Sequence, residues 1–227
     1  FDLERRVFGS WAHFTELMNG EQVWVTPRRK IWKFGNPSPL VREHLLKLML
    51  QRKKGEVLPE LPPKIKQTIP VDISSKRLLK RTDRLFEDIK DLTPSDSLPH
   101  FQEFSKVREE LALAKIPALL NLVEACESSH EPVVVFSAHV EPMKALSHRE
   151  GWGVITGGTP LWRREEIVRD FQSGNLKGVG LTIKAGGVGL TLTHAAKMVF
   201  VDLEWNPSLN RQAEDRILRI GQESNKV

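Results

Sequence analysis

Cysteine is almost absent from this chain: Cys126 is the single one among 227 residues. No internal disulfide can form, a pattern that fits a reducing intracellular compartment. Cys126 itself reads as a small buried residue on a helix. No apolar run approaches the ~18 residues that a membrane span needs, so no membrane is expected as a partner. No secretory leader pattern is visible. The phosphate cradle G-x-x-x-x-G-K-[ST] is missing, and so is an acidic box of the kind that holds magnesium. The seven histidines are scattered, no His/Cys group has zinc spacing, and no metal ligands are assigned. No serine elbow or Cys/His pair stands out. The chain opens on Phe1 and closes on a polar run, Glu223 to Val227, as expected of a fragment.

What is present is an ordinary globular balance, 40% hydrophobic and 28% charged. The formal net charge of +5 is unevenly placed. Residues 1–66 hold 13 of the 34 Lys/Arg and only 7 of the 29 Asp/Glu, so the basic excess sits in the first third. A polyanion could dock there; a solvated charged face is the plainer reading.

The pattern predicts three regions: 1–66, ending in a Pro-rich connector; 67–104, a helical linker; and 105–227, an α/β domain. Pro39 to Leu50 has helical apolar spacing. Gly55, Pro59, Pro62 and Pro63 then break regular structure. A helix is predicted around Ser74–Lys90, followed by the polar break 91–100. Another runs over Ser105–Ser128, kinked or divided at Pro117. From Glu131 onward short apolar runs alternate with helical stretches. Strands are predicted at 133–137, 153–156, 178–183 and 198–203. Helices are predicted at 141–149, from Thr159-Pro160 to 173, and from Asn206-Pro207 to about Ile220, with a glycine turn and short helix at 185–193. Such alternation gives a parallel sheet with helices on both faces, and its strand-to-helix loops collect at one edge.

Those loops carry the unusual residues. In the last helix Gln212, Arg216 and Arg219 fall at i, i+4 and i+7. Leu209, Ala213, Ile217 and Ile220 form a separate apolar stripe. Two guanidiniums one turn apart match phosphate oxygens, with Glu214 and Asp215 placed to orient them; internal ion pairing of the same face is the competing reading. The turn "KAGGVGL" brings Lys184, Gly187 and Gly189 between a strand and a helix, beside the hydroxyls of Thr182, Thr191 and Thr193. It suits anion binding by backbone N–H groups, or a tight turn and close helix packing. Gly157, Gly158 and Thr159 precede a helix whose first turns hold Arg163 and Arg164; phosphate binding and simple capping both fit. Trp205 follows a strand, positioned to stack on a base or to pack. "AGGVG" also allows a dinucleotide loop, without a clean acidic partner about 20 residues on.

The strings "VVVFS", "ITGGT", "LTIKAGGVGLTLT", "VDLEWNP" and "QAEDRILRIGQ" occur in an order and spacing that resembles the second RecA-like lobe of SWI/SNF-type ATPases. The likeness covers about residues 105–225. "LMLQRKKGEVLPELPPK" is similar to that family's passage out of its first lobe, and "KIPALL" is similar to the annealing-helicase-like and bacterial branches. The resemblance implies a RecA-like parallel sheet after a mainly helical connector, in an ATP-dependent translocase on double-stranded DNA. Nuclear residence in a eukaryote, or cytoplasmic in a bacterium, is implied with it. It also implies a partner, the preceding lobe of the same protein, which would hold most of the ATP and Mg2+. By the same resemblance Arg216 and Arg219 are arginine fingers and Gln212 their companion. Gly187, Gly189 and Asp215 lie on the nucleotide side. Ser137, Gly158, Thr159, Arg163, Thr182, Lys184 and Trp205 lie on the DNA side. A non-catalytic DNA-binding module of the same fold is the alternative. The Trp-rich segment 1–35 matches no motif of that family.

Overall fold

The computed structural model describes residues 7–27, 29–46, 54–90, 101–185, 189–224 and 227. The chain forms two compact units, Phe1–Pro59 and Glu60–Val227.

In the first unit helix α1 (Trp11–Leu17) is capped by Ser10, whose hydroxyl accepts from the His13 N–H at 3.1 Å. Strands β1 (Gly20–Thr26) and β2 (Arg29–Phe34) form an antiparallel hairpin. Their β-branched and aromatic content is a strand signal. Helix α2 (Leu40–Leu46) and one-turn α3 (Lys54–Val57) follow. The helix predicted over Pro39–Leu50 is described as far as Leu46; residues 47–50 lie outside the described residues. Phe8, Leu17 and Val41 make this unit's small core.

The second unit begins with α4 (Lys76–Lys90), α5 (Phe101–Ala114) and α6 (Ile116–Ser128). The polar run 91–100 lies outside the described residues. Pro117 sits in the first turn of α6, where its missing N–H costs nothing, so the predicted long helix is two helices. Leu78 and Leu85 of α4, seven residues apart, bury against Val107 of α5. The sheet follows: β3 (Val133–Ser137), β4 (Trp152–Ile155), β5 (Gly178–Thr182) and β6 (Lys197–Phe200), all parallel, in the order β4-β5-β3-β6. Helices α7 (Glu141–Ser147), α8 (Leu161–Gln172) and α9 (Pro207–Glu214) complete it.

Strand residues alternate between two cores, as the period of two requires. Val134, Phe136, Val179 and Leu181 pack with Ile167 and Phe171 of α8 and Ala213 of α9. Val133 and Val135 pack with Val123 and Cys126 of α6 and Met143 and Leu146 of α7. The sheet is therefore covered on both faces. α8 lies so near β4 that a Cβ on Gly153 would stand 2.4 Å from Cγ2 of Ile167.

Two local expectations are corrected. Helix α9 ends at Glu214 rather than near Ile220. The carbonyl of Arg216 accepts from the Leu192 N–H at 3.0 Å, so it is taken by a tertiary bond that a continuing helix would need for itself. Ile220 is 72% exposed and does not extend the buried stripe. Pro160 occupies the N-cap, one residue before α8 starts. Of the predicted short helix at 185–193, Ala185 lies in a 3-10 turn, 186–188 lie outside the described residues, and 189–193 are not helical.

Candidate functional site

Parallel strands bring Ser137, Thr156, Thr182 and Asp202 to one edge, with Ser137 directly beside Thr182 in register. Asp202 organises that edge. Its Oδ1 accepts from the Ser137 hydroxyl at 2.5 Å and the Ala138 N–H at 3.1 Å, and its Oδ2 lies 3.3 Å from His139 Nε2. The hydroxyl and the imidazole both meet the carboxylate rather than each other, so this is no nucleophilic relay. Ser137 is fully buried and Thr182 is 7% exposed. Both side chains sit inside the edge, while other groups near it are exposed. Lys184 is one: its ammonium is exposed, 3.3 Å from Glu204.

The turn after β4 is closed by its own residues. The Thr159 hydroxyl accepts from the Thr156 N–H at 2.9 Å, so it does not cap α8. Arg164 donates to the carbonyls of Thr159, Thr156 and Gly157 at 2.7, 3.0 and 3.3 Å. Arg163 pairs with Glu166 at 2.5 Å. A Cβ on Gly157, Gly158 or Gly189 would meet nothing within 4 Å. Backbone there is open to an approaching ligand, and close helix packing is not what Gly189 serves. Its φ of +46° requires the freedom of glycine. Gly187 lies outside the described residues.

The arginines meet the segment that leaves the glycine turn. Arg219 Nη1 donates to Thr191 Oγ1 at 3.0 Å and to the Leu190 carbonyl at 3.3 Å. Gln222 fastens the same two segments, donating to the carbonyls of Ala195 and Ile217 at 2.9 and 3.3 Å. Burial, and then the neighbouring Arg219 cation, pull the Arg216 guanidinium below its ordinary value, while Asp215 opposes them. The partly buried Arg216 thus has a second cation and one carboxylate, Asp215, as charged neighbours. Gln212 and Asp215 are exposed beside them.

A model of the helicase conserved C-terminal domain matches residues 114–221. The chain is 31% identical over 228 residues to the DNA annealing helicase and endonuclease ZRANB3 of Bos taurus, covering 95% of this chain and 21% of that protein. It is 31% identical over 215 residues to the SWI/SNF-related matrix-associated actin-dependent regulator of chromatin subfamily A-like protein 1 of Xenopus laevis, covering 85% of this chain and 21% of that one. The chain belongs to the SWI2/SNF2 family of helicase-like proteins. Among solved structures, the Sulfolobus solfataricus SWI2/SNF2 ATPase core in complex with dsDNA shares the fold. There the TM-score is 0.52 at 20% identity, over 97% of this chain and 50% of that one. The chain spans about a fifth of the length of these curated relatives, 21%.

Several contacts of this SWI2/SNF2 lobe escaped the sequence. Glu214 does not orient the arginines. It is held by Lys64 and Lys66, both at 2.6 Å. Burial pushes its carboxyl up, but the hydrogen bonds from the two lysines outweigh that and hold it below the ordinary value. The Ile65 N–H donates to the Val227 carbonyl at 2.7 Å, so the Pro-rich connector straps the end of the lobe. Trp205, 49% exposed, lies under Arg108, whose Cζ is 4.4 Å from the ring centroid, and edge-on to Phe104 at 6.5 Å. One face of the indole is therefore used for packing on α5. Asn210 clamps the loop before α9, bonding the N–H and carbonyl of Glu204 at 2.9 and 3.0 Å. An Asn four residues after an N-cap Asn is a signal that could have found it.

Proposed function

We propose that this chain is the C-terminal lobe, with its connector, of an ATP-dependent double-stranded DNA translocase of remodelling or repair type, completing a nucleotide site held mainly by a preceding lobe. The observation that carries the reading is the Arg216–Arg219 pair: the Arg216 guanidinium is partly buried with Arg219 as its cationic neighbour, and Arg219 is fixed through Nη1 to the segment that leaves the glycine turn. Their planar donor sets fit phosphate oxygens. ATP with Mg2+ supplies the bond to be cleaved and the negative charge that the arginines meet. Arg216 and Arg219 stabilise charge as it develops on the phosphate, an effect worth roughly 10³–10⁵ in rate for an arginine finger. Gln212 and Asp215 hold the arginines' outer side. Lys184, Arg163, the open backbone at Gly157–Gly158 and the exposed part of Trp205 meet a DNA backbone, without reading sequence.

The reading requires both lobes. The full-length protein should hydrolyse ATP faster with duplex DNA, with DNA affinity falling steeply as salt rises. This chain alone should not turn ATP over. Full-length protein that binds duplex DNA without hydrolysing ATP would instead favour a non-catalytic module.

A further inference from the structure

The first unit carries a surface that the ATPase reading leaves unused. In the β1–β2 hairpin Gly20 pairs with Phe34, Gln22 with Trp32 and Trp24 with Lys30. Directly opposed residues share a face, so Phe34, Trp32, Trp24 and Lys30 line one side of the ribbon. Gly20 makes this possible at the inner end, since a Cβ there would meet the Phe34 ring at 2.8 Å.

Helix α1 covers only that inner end. Trp11 meets Trp32 edge-on at 5.9 Å and Phe14 meets Phe34 at 5.8 Å. Trp24, one step further out, is 64% exposed, and Lys30 Nζ stands 4.5 Å from its ring centroid. The β-bulge between Trp24 and Thr26 twists the ribbon just beyond it. Isolated two-stranded ribbons are marginal in water, and an indole at the tip that meets Lys30 yet stays 64% exposed adds little burial to the fold. The charge is one-sided as well: residues 20–34 hold Arg28, Arg29, Lys30 and Lys33 against Glu21 alone.

We infer that the β1–β2 hairpin binds an unpaired DNA strand, with Trp24 stacked on a base and Lys30, Arg29 and Lys33 against the flanking phosphates. An indole face demands an exposed base face, which a duplex keeps inside its stack; the basic residues demand a polyanion. The choice of DNA rests on the proposed translocase reading, while the stacking does not.

The test uses the full-length protein without nucleotide, so a failed ATPase reading cannot be mistaken for a failed hairpin. Binding of a labelled 20-nucleotide dT strand is compared with a 20-base-pair duplex by fluorescence anisotropy. The Trp24→Ala variant should lose roughly ten-fold or more in affinity for the strand. Its duplex affinity should stay unchanged, and Trp24→Phe should restore most of the loss. Trp24 is exposed, so circular dichroism should show an unaltered fold. Wild-type strand affinity in Trp24→Ala overturns the inference, as does an equal loss for strand and duplex. Concentration-dependent self-association abolished by Trp24→Ala, without a change in strand binding, would assign the surface to a second copy of the chain and overturn it too.

Discussion

Arg219 donates through Nη1 to the hydroxyl of Thr191 at 3.0 Å, tying one of two closely set guanidiniums to the segment that leaves the glycine turn. The bond fixes where that cation stands without neutralising it. Thr191→Val keeps shape and removes the acceptor. In the full-length protein it should lower turnover about ten-fold with DNA affinity unchanged, because a misplaced group costs rate more than binding. Thr191→Ser should restore the rate. A Thr191→Val enzyme with normal turnover would show that Arg219 needs no such tether.

Two carboxyls predict the response to acid. The hydrogen bond from Arg149 holds Glu127 below its ordinary value; burial opposes it, and the Trp152 N–H at 2.6 Å adds to it. Glu214 is lowered by Lys64 and Lys66 against its own burial. With lowered values in the fold, the unfolded chain binds more protons in acid, so stability falls as pH falls. The contribution is complete above the ordinary value of 4.5 and disappears as pH passes down through the lowered ones. Thermal unfolding should give a flat Tm from neutrality to about pH 5 and a decline below it. Glu127→Gln should cost about 1–2 kcal/mol at neutral pH and flatten that decline. An acid profile identical to wild type would remove Glu127 from the explanation.

Cys126 is 5% exposed among Val123, Val133 and Met143, and burial pushes its thiol up. It should therefore resist iodoacetamide in the native protein and react once the chain is unfolded in denaturant. Rapid labelling of the folded protein would mean that α6 does not close this face of the sheet.

Most of the sheet was legible because buried parallel strands are short apolar runs: Val133–Ser137 and Gly178–Thr182 are buried at every position. Pro117 announced a break between helices, and Asn206-Pro207 announced the start of α9. What stayed hidden depends on partners far along the chain. Lys64 meets Glu214 across 150 residues, and Arg108 meets Leu203 across 95. The early stop of α9 has the same origin, since Leu192 claims the Arg216 carbonyl that helical periodicity assigned to the helix. At the candidate site, spacing located Ser137 on the correct edge but could not reveal that Asp202 takes its hydroxyl inward. The β1–β2 hairpin stayed hidden although EQVWVT and RKIWKF carry strand-forming residues, because β2 is exposed at every position and β1 at most, so no buried period of two marks it.

The most direct measurement is ATP turnover by the full-length protein at saturating duplex DNA, compared with its Arg216→Ala and Arg219→Ala variants. Each variant should lose roughly 10³-fold or more in turnover while retaining DNA affinity and its unfolding profile. Wild-type turnover in both would contradict the assignment of this guanidinium pair to the phosphate.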